Sequence, residues 1–151
     1  MNENFDCTQF ITFNYEGTER IESIVRNIFK DSVFTINYGD AIRTVKKEYL
    51  KHYLEGCLFE LEHKEFMGEF EDWEVLSQPT PLVNELICKL YYLFCLYPIK
   101  NAKVILVLFA EFGNTKDAKI YVNLSDIRDG LFKMSMHCFD VWADTLIIEL
   151  L

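Results

Sequence analysis

Apolar residues recur along this chain in two rhythms, one of period two and one of period three to four, and the switches between them outline a fold. Phe5 to Tyr15 carries Phe5, Phe10, Ile11, Phe13 and Tyr15 among Thr and Asn, and its second half alternates as a strand does. Gly17 breaks it. Thr18 is a natural N-cap for a helix with Glu19 and Glu22 in its positive first turn, Ile21, Ile24, Val25, Ile28 and Phe29 at helical spacing, and Lys30 near its end. Val33 to Tyr38 predicts a short second strand, closed by Gly39. Asp40 can cap the next helix, whose stripe is Ile42, Val45, Tyr49, Leu50, Tyr53 and Leu54 and whose end is Gly56.

From Cys57 the rhythm changes. Phe59, Leu61 and His63 alternate with Glu60, Glu62 and Lys64, which predicts a strand; the competing reading continues the helix to Phe66, since one internal Gly costs only about 1 kcal/mol. Phe70 to Leu76 predicts a further strand, closed by Ser77-Gln78-Pro79. Thr80-Pro81 is a helix start, and Leu82, Val83, Leu86, Ile87, Leu90, Leu93, Phe94 and Tyr97 continue it to Pro98. This helix is apolar around most of its circumference, so it lies deep in the fold or carries an interface.

Val104 to Phe112 reads as a strand central in the sheet, Gly113 to Asp117 as a hairpin loop and Ala118 to Leu124 as the returning strand. Gly130 to Cys138 predicts another strand, with Leu131, Lys133, Ser135 and His137 on one face and Phe132, Met134, Met136 and Cys138 on the other. Thr145 to Leu151 ends the chain as a strand, either buried or forming a homodimer edge. No repeat or linker divides the chain. The expectation is one domain over residues 1–151 with an α+β fold: a mainly antiparallel sheet with about three helices packed on it, as a single pair of layers.

Composition narrows the function. Half of the 151 residues are hydrophobic and 15% are aromatic, which excludes a disordered chain. Fifteen basic residues against twenty-four acidic ones give a net charge of −9, so no broad basic face is available for direct nucleic-acid binding. Asn2-Glu3-Asn4 is polar where a secretory signal would be basic and then apolar. The runs Leu90–Pro98 and Val104–Ala110 are far shorter than the roughly 20 residues a membrane span needs, so a cytoplasmic protein with no membrane partner is expected. Cys7, Cys57, Cys88, Cys95 and Cys138 are scattered without a C-x-x-C, and in apolar surroundings they read as small reduced core residues. Cys88 and Cys95 share a helix face but lie about 10 Å apart along the axis, too far for a disulfide.

Chemistry-bearing patterns are sparse. No Walker loop, dinucleotide fingerprint, nucleophile elbow or H-E-x-x-H occurs. Glu48, His52 and Glu55 have helical spacing suited to a metal, but bare spacing of this kind is that of a solvated charged face, with His63 and His137 as the remaining imidazoles. Cys57 has no local surroundings that would make a thiolate, and His137 and Cys138, adjacent on a strand, would point apart. No catalytic residue, cofactor or metal is expected. A small-ligand pocket lined by Tyr49, Tyr53, Tyr91, Tyr92 and His137 is the enzyme-like alternative.

One segment stands out. Glu60, Glu62, Glu65, Glu69, Glu71, Asp72 and Glu74 face only Lys64 as a basic residue, so residues 60–74 carry −6 of the −9. Phe59, Phe66, Met67, Phe70 and Trp73 are interleaved. Carboxylates flanking aromatics suit a surface that meets a basic protein, and the bland alternative is a solvated face over a core of those aromatics. In size, charge and this segment the chain resembles bacterial toxin-immunity proteins of the contact-dependent-inhibition type. The resemblance implies a non-catalytic inhibitor that covers a basic nuclease toxin, with Glu60, Glu62, Glu69, Glu71, Asp72, Trp73 and Glu74 as partner-binding residues. A non-catalytic adaptor or homodimeric scaffold is the other reading.

Overall fold

The computed structural model describes residues 7–54, 56–76, 78–108, 117–140 and 144–151, with the side chains of residues 74, 75 and 136–140 outside that description. In chain order the elements are β1 (Thr8–Tyr15), α1 (Ile21–Ile28), β2 (Thr35–Tyr38), α2 (Thr44–Leu50), β3 (Cys57–Glu62), α3 (Phe66–Leu76), α4 (Pro81–Leu96), β4 (Ile99–Val107), β5 (Asp117–Val122), α5 (Ile127–Asp140) and β6 (Thr145–Leu150). The strands form one sheet in the order β2-β3-β1-β4-β6-β5. All neighbours are antiparallel except β5 and β6, which run parallel. A parallel pair needs a crossover, and α5 lies in it. The class is therefore α+β with a mostly antiparallel sheet, as expected.

Alternation along the strands sends side chains to two cores. Ile11, Phe13, Phe59, Leu61, Val104, Leu106, Leu146 and Ile148 face the larger one, under α1, α3, α4 and α5. Phe10, Leu58, Ile105 and Val107 face the smaller one, where Ile42, Tyr49 and Leu50 bring in α2. Helices thus cover both faces, and the expected single pair of layers is corrected to a sheet between two helical covers.

Several expected elements change. The five α-helices among the described residues exceed the three expected because Phe70–Leu76 and Gly130–Cys138 lie in α3 and α5 rather than in strands. In α3, Phe66, Met67, Phe70 and Trp73 are buried at the helical spacing i, i+1, i+4, i+7. In α5, Ile127, Leu131 and Met134 do the same at i, i+4, i+7. The helix expected from Thr18 begins only after Arg20. The one expected to run to Gly56 stops at Leu50, and Gly56 (φ 71°) turns the chain into β3. Thr80 caps α4 as expected, its hydroxyl accepting from the Val83 N–H at 3.4 Å.

β4 and β5 do not pair as a hairpin: β6 lies between them, hydrogen-bonded to both. The terminal strand is therefore interior, with Thr145 to Ile148 buried, and offers no homodimer edge. Of the hairpin loop expected at 113–117, Asp117 opens β5 instead, and the rest, with the strand end expected at 109–112, lies outside the described residues. The cysteine expectation is also corrected: Cys7, Cys88 and Cys95 are exposed and Cys57 is half-buried. Burial pushes the Cys57 thiol up to about 11.

Candidate functional site

The acidic segment divides among three environments. Glu60 is on β3, facing α2, and its side chain is 2% exposed. Its Oε2 accepts from Lys46 Nζ at 2.6 Å and from the Thr8 hydroxyl at 2.6 Å, and its Oε1 accepts from Asn37 Nδ2 at 2.9 Å. Burial alone would raise this carboxyl, but the three donors outweigh it and hold its pKa below the ordinary carboxylate value. Glu60 is a structural group and is withdrawn from the partner surface. A buried charge is tolerated only when paired and hydrogen-bonded, and these neighbours do both.

Glu62, two residues on, keeps to the α2 side at the end of β3. It lines an open pocket of about 600 Å³ with Cys7, Thr8, Arg43, Lys46, His63 and Lys64. Its neighbours are cationic, so it does not extend an acidic patch.

The third environment is α3. His63 sets its start: the ring Nδ1 accepts the Glu65 N–H at 3.2 Å, and the ring packs edge-on to Phe34 at 5.9 Å. The helix turns all its described aromatics inward. Phe66 stacks on Phe70 at 6.0 Å, and Trp73, 3% exposed, packs on Phe132 at 5.2 Å. Trp73 is thus a core residue, and the aromatic half of the expected surface is corrected. A buried aromatic contributes roughly 1.5–3 kcal/mol through lost water contact, and the helical repeat lets it do so while carboxylates occupy the opposite side.

That opposite side presents Glu65, Gly68, Asp72 and Leu76 as exposed residues, with Glu69 half-buried between them and Glu71 half-buried at the flank. Glu65, Glu69 and Asp72 form one stripe at i, i+4, i+7. Burial raises the Glu71 carboxyl above its ordinary value, and the nearby Asp72 charge adds to the rise. Among the described residues no ion pair reaches Glu65, Glu69, Glu71 or Asp72. Glu16, Glu22, Glu48, Glu60 and Glu149 all have cationic partners. Glu65, which the expected partner-binding set leaves out, falls on this stripe by helical spacing. The side chain of Glu74 lies outside the described residues.

The pocket alternative fails on geometry. Tyr49 is under α2, its hydroxyl 2.7 Å from the Thr145 hydroxyl, and Tyr53 just beyond α2 donates to Asp117 Oδ1 at 2.6 Å. Tyr91 and Tyr92 lie exposed on the outside of α4, across the sheet. The His137 side chain lies outside the described residues. Glu48 pairs with Lys51 at 2.6 Å, α2 ends before His52, and Glu55 lies outside the described residues. No group of three metal-ligating side chains occurs among the described residues, and no described helix is long and apolar enough to cross a membrane.

No family model matches this chain, no curated protein matches its sequence and no solved structure matches its fold.

Proposed function

We propose that this protein is a non-catalytic inhibitor of the immunity type, which neutralises a basic toxin, a nuclease, by docking it on the outer face of α3. The observation that carries the reading is the concentration of Glu65, Glu69, Glu71 and Asp72 along one side of α3 and its start, none of them held in an ion pair among the described residues, in a chain of net charge −9. Uncompensated carboxylates project a field that raises the encounter rate with a cationic protein, by roughly 10–1,000-fold at low salt. With Trp73 buried, the apolar contact beside the stripe falls to Leu76, which is 56% exposed and one turn beyond Asp72. The complex would therefore depend more on steering than on an aromatic anchor and would be strongly salt-sensitive.

The test is a pull-down with tagged protein from its native host, at low and then moderate salt. One basic protein is expected, lost as salt rises and bound at least ~10-fold more weakly by the combined Glu69→Lys, Glu71→Lys and Asp72→Lys variant. The captured protein is then assayed for nuclease activity with and without the inhibitor. Recovery of the chain alone, or of a partner indifferent to charge reversal, would sink the α3 assignment.

A further inference from the structure

α4 packs Leu82, Val83, Leu86, Ile87, Leu90 and Leu93 into the larger core. Its outward side is not polar, as that of a surface helix should be. Cys88, Tyr91, Tyr92, Cys95 and Leu96 are all exposed, with Tyr91 at 45%, Tyr92 at 54% and Leu96 at 57%. They fall at i, i+3, i+4, i+7 and i+8, the spacing of one continuous stripe. The stripe has a second property. Residues 88–95 read Cys-Lys-Leu-Tyr-Tyr-Leu-Phe-Cys, a palindrome except for Lys89 against Phe94. Its centre falls between Tyr91 and Tyr92, and every exposed residue of the segment obeys the symmetry.

We propose that the outer face of α4 is a homodimer interface, in which α4 of a second copy lies antiparallel across a twofold axis passing between Tyr91 and Tyr92. A twofold interface is self-complementary: one patch must meet itself with the helix direction reversed. A palindromic face satisfies that condition with like residues in contact. Cys88 and Cys95 lie on the midline of the stripe, so Cys88 of one copy faces Cys95 of the other at each end. The two Tyr91 rings meet on one flank and the two Tyr92 rings on the other. Tyrosines are favoured at such sites because they supply rigid apolar area with a wet hydroxyl at the rim.

Charge points to the same occupant. Two molecules of −9 repel over most of their surfaces, and this stripe carries no charged residue. It is a face on which a second copy can approach without bringing carboxylate onto carboxylate. The adjoining groove between α1 and α4, about 360 Å³, has Lys30, Asp31 and Lys89 in its lining beside Cys88, Tyr92 and Tyr97, so charge returns only at the margin of the stripe. A helix pair with this margin makes a small interface, so the dimer should dissociate on dilution. The proposal rests on the residues of α4 and does not depend on the inhibitor reading.

The experiment combines sedimentation with cross-linking of the full chain in a Cys7→Ser background. Sedimentation should show a concentration-dependent dimer, weakened at least ~10-fold by the combined Tyr91→Glu and Tyr92→Glu variant with an unchanged circular dichroism spectrum. Diamide then oxidises facing thiols: two S–H bonds break, one S–S bond forms, and the reagent takes both protons and both electrons to become its hydrazine. Peptide mapping should find Cys88 joined to Cys95 between chains. Cys88→Ser alone and Cys95→Ser alone should each lose the cross-link, and mixing the two variants should restore it in the heterodimer. A monomer at every concentration, or a dimer unchanged by the glutamates, would overturn the proposal and leave the face to a different protein. A cross-link that persists in either serine variant would overturn the antiparallel arrangement.

Discussion

Glu60 and Glu71 lie eleven positions apart in one acidic run, yet the molecule treats them in opposite ways. Glu60 is enclosed between the sheet and α2 by three donors, and its pKa is lowered. Glu71 sits half-buried on α3 beside Asp72 with no ion-pair partner among the described residues, and its pKa is raised. A charge run in sequence therefore conflates two populations. One is structural and belongs to the side of the sheet with the smaller apolar core, where polar pairing helps hold the short helix α2. The other rides on a helix whose inner face is secured by aromatics, so its outer face is free to carry acids that do nothing for the fold.

The hardest blow to this contrast falls on the first population. Lys46→Ala should destabilise the protein by about 3–5 kcal/mol at neutral pH, because it leaves the Glu60 carboxylate buried without its counter-charge. Urea unfolding followed by tryptophan fluorescence measures it. The pH dependence gives the sign. A carboxyl with a depressed folded-state pKa contributes stability above its unfolded value, about 4.3, and loses it as pH falls through the folded value. The difference between wild type and Lys46→Ala should therefore be largest at neutral pH, shrink on acidification as the unpaired Glu60 takes up its proton, and be smallest below the wild-type folded value. A deficit of similar size at every pH would assign the effect to lost packing of the lysine stem instead.

A smaller loss tests whether α2 is held by polar contacts along its whole length. Tyr49→Phe removes the 2.7 Å hydroxyl contact to Thr145 while keeping the ring in the smaller core. About 1 kcal/mol should be lost, the net worth of one buried hydrogen bond. An unchanged midpoint would confine the polar fastening of α2 to Lys46 and Glu60.

The same contrast explains what was legible in the sequence. β3 and the second half of β1 follow period-two alternation, β6 is a short continuous apolar run, and the Thr80-Pro81 start of α4 is a local signal. α3 and α5 carried their helical spacing in plain view. Gly68 and the acid run obscured it in α3, and in α5 the stretch Leu131 to Ser135 also fits alternation. The insertion of β6 between β4 and β5 is a long-range choice that no local pattern encodes. The role of Glu60 was equally out of reach, since its partners Thr8, Asn37 and Lys46 stand 52, 23 and 14 residues away. The outer face of α4 was half legible. Its all-round apolarity predicted a helix deep in the fold or one that carries an interface, but which cysteines and tyrosines face outward depends on which side the sheet covers.

The smallest effect in stability tests the second population. A carboxyl with a raised folded-state pKa contributes stability below its unfolded value and loses it as pH rises through the folded value. Ionised Glu71 therefore opposes folding at pH 7, and Glu71→Gln should make the protein slightly more stable there, by less than about 0.5 kcal/mol. The gain should vanish below about pH 4, where the native side chain is neutral too. Its sign at neutral pH is opposite to that of Lys46→Ala, although both differences fade on acidification. Matched unfolding curves at pH 7 and pH 3.5 resolve the two. If Glu71→Gln also weakens capture of the basic partner, the acid is one that folding disfavours and binding retains, the trade-off expected of a surface kept for function. A variant that is less stable at pH 7 would mean that Glu71 has a structural role, and the division between the two populations would fail at α3 itself.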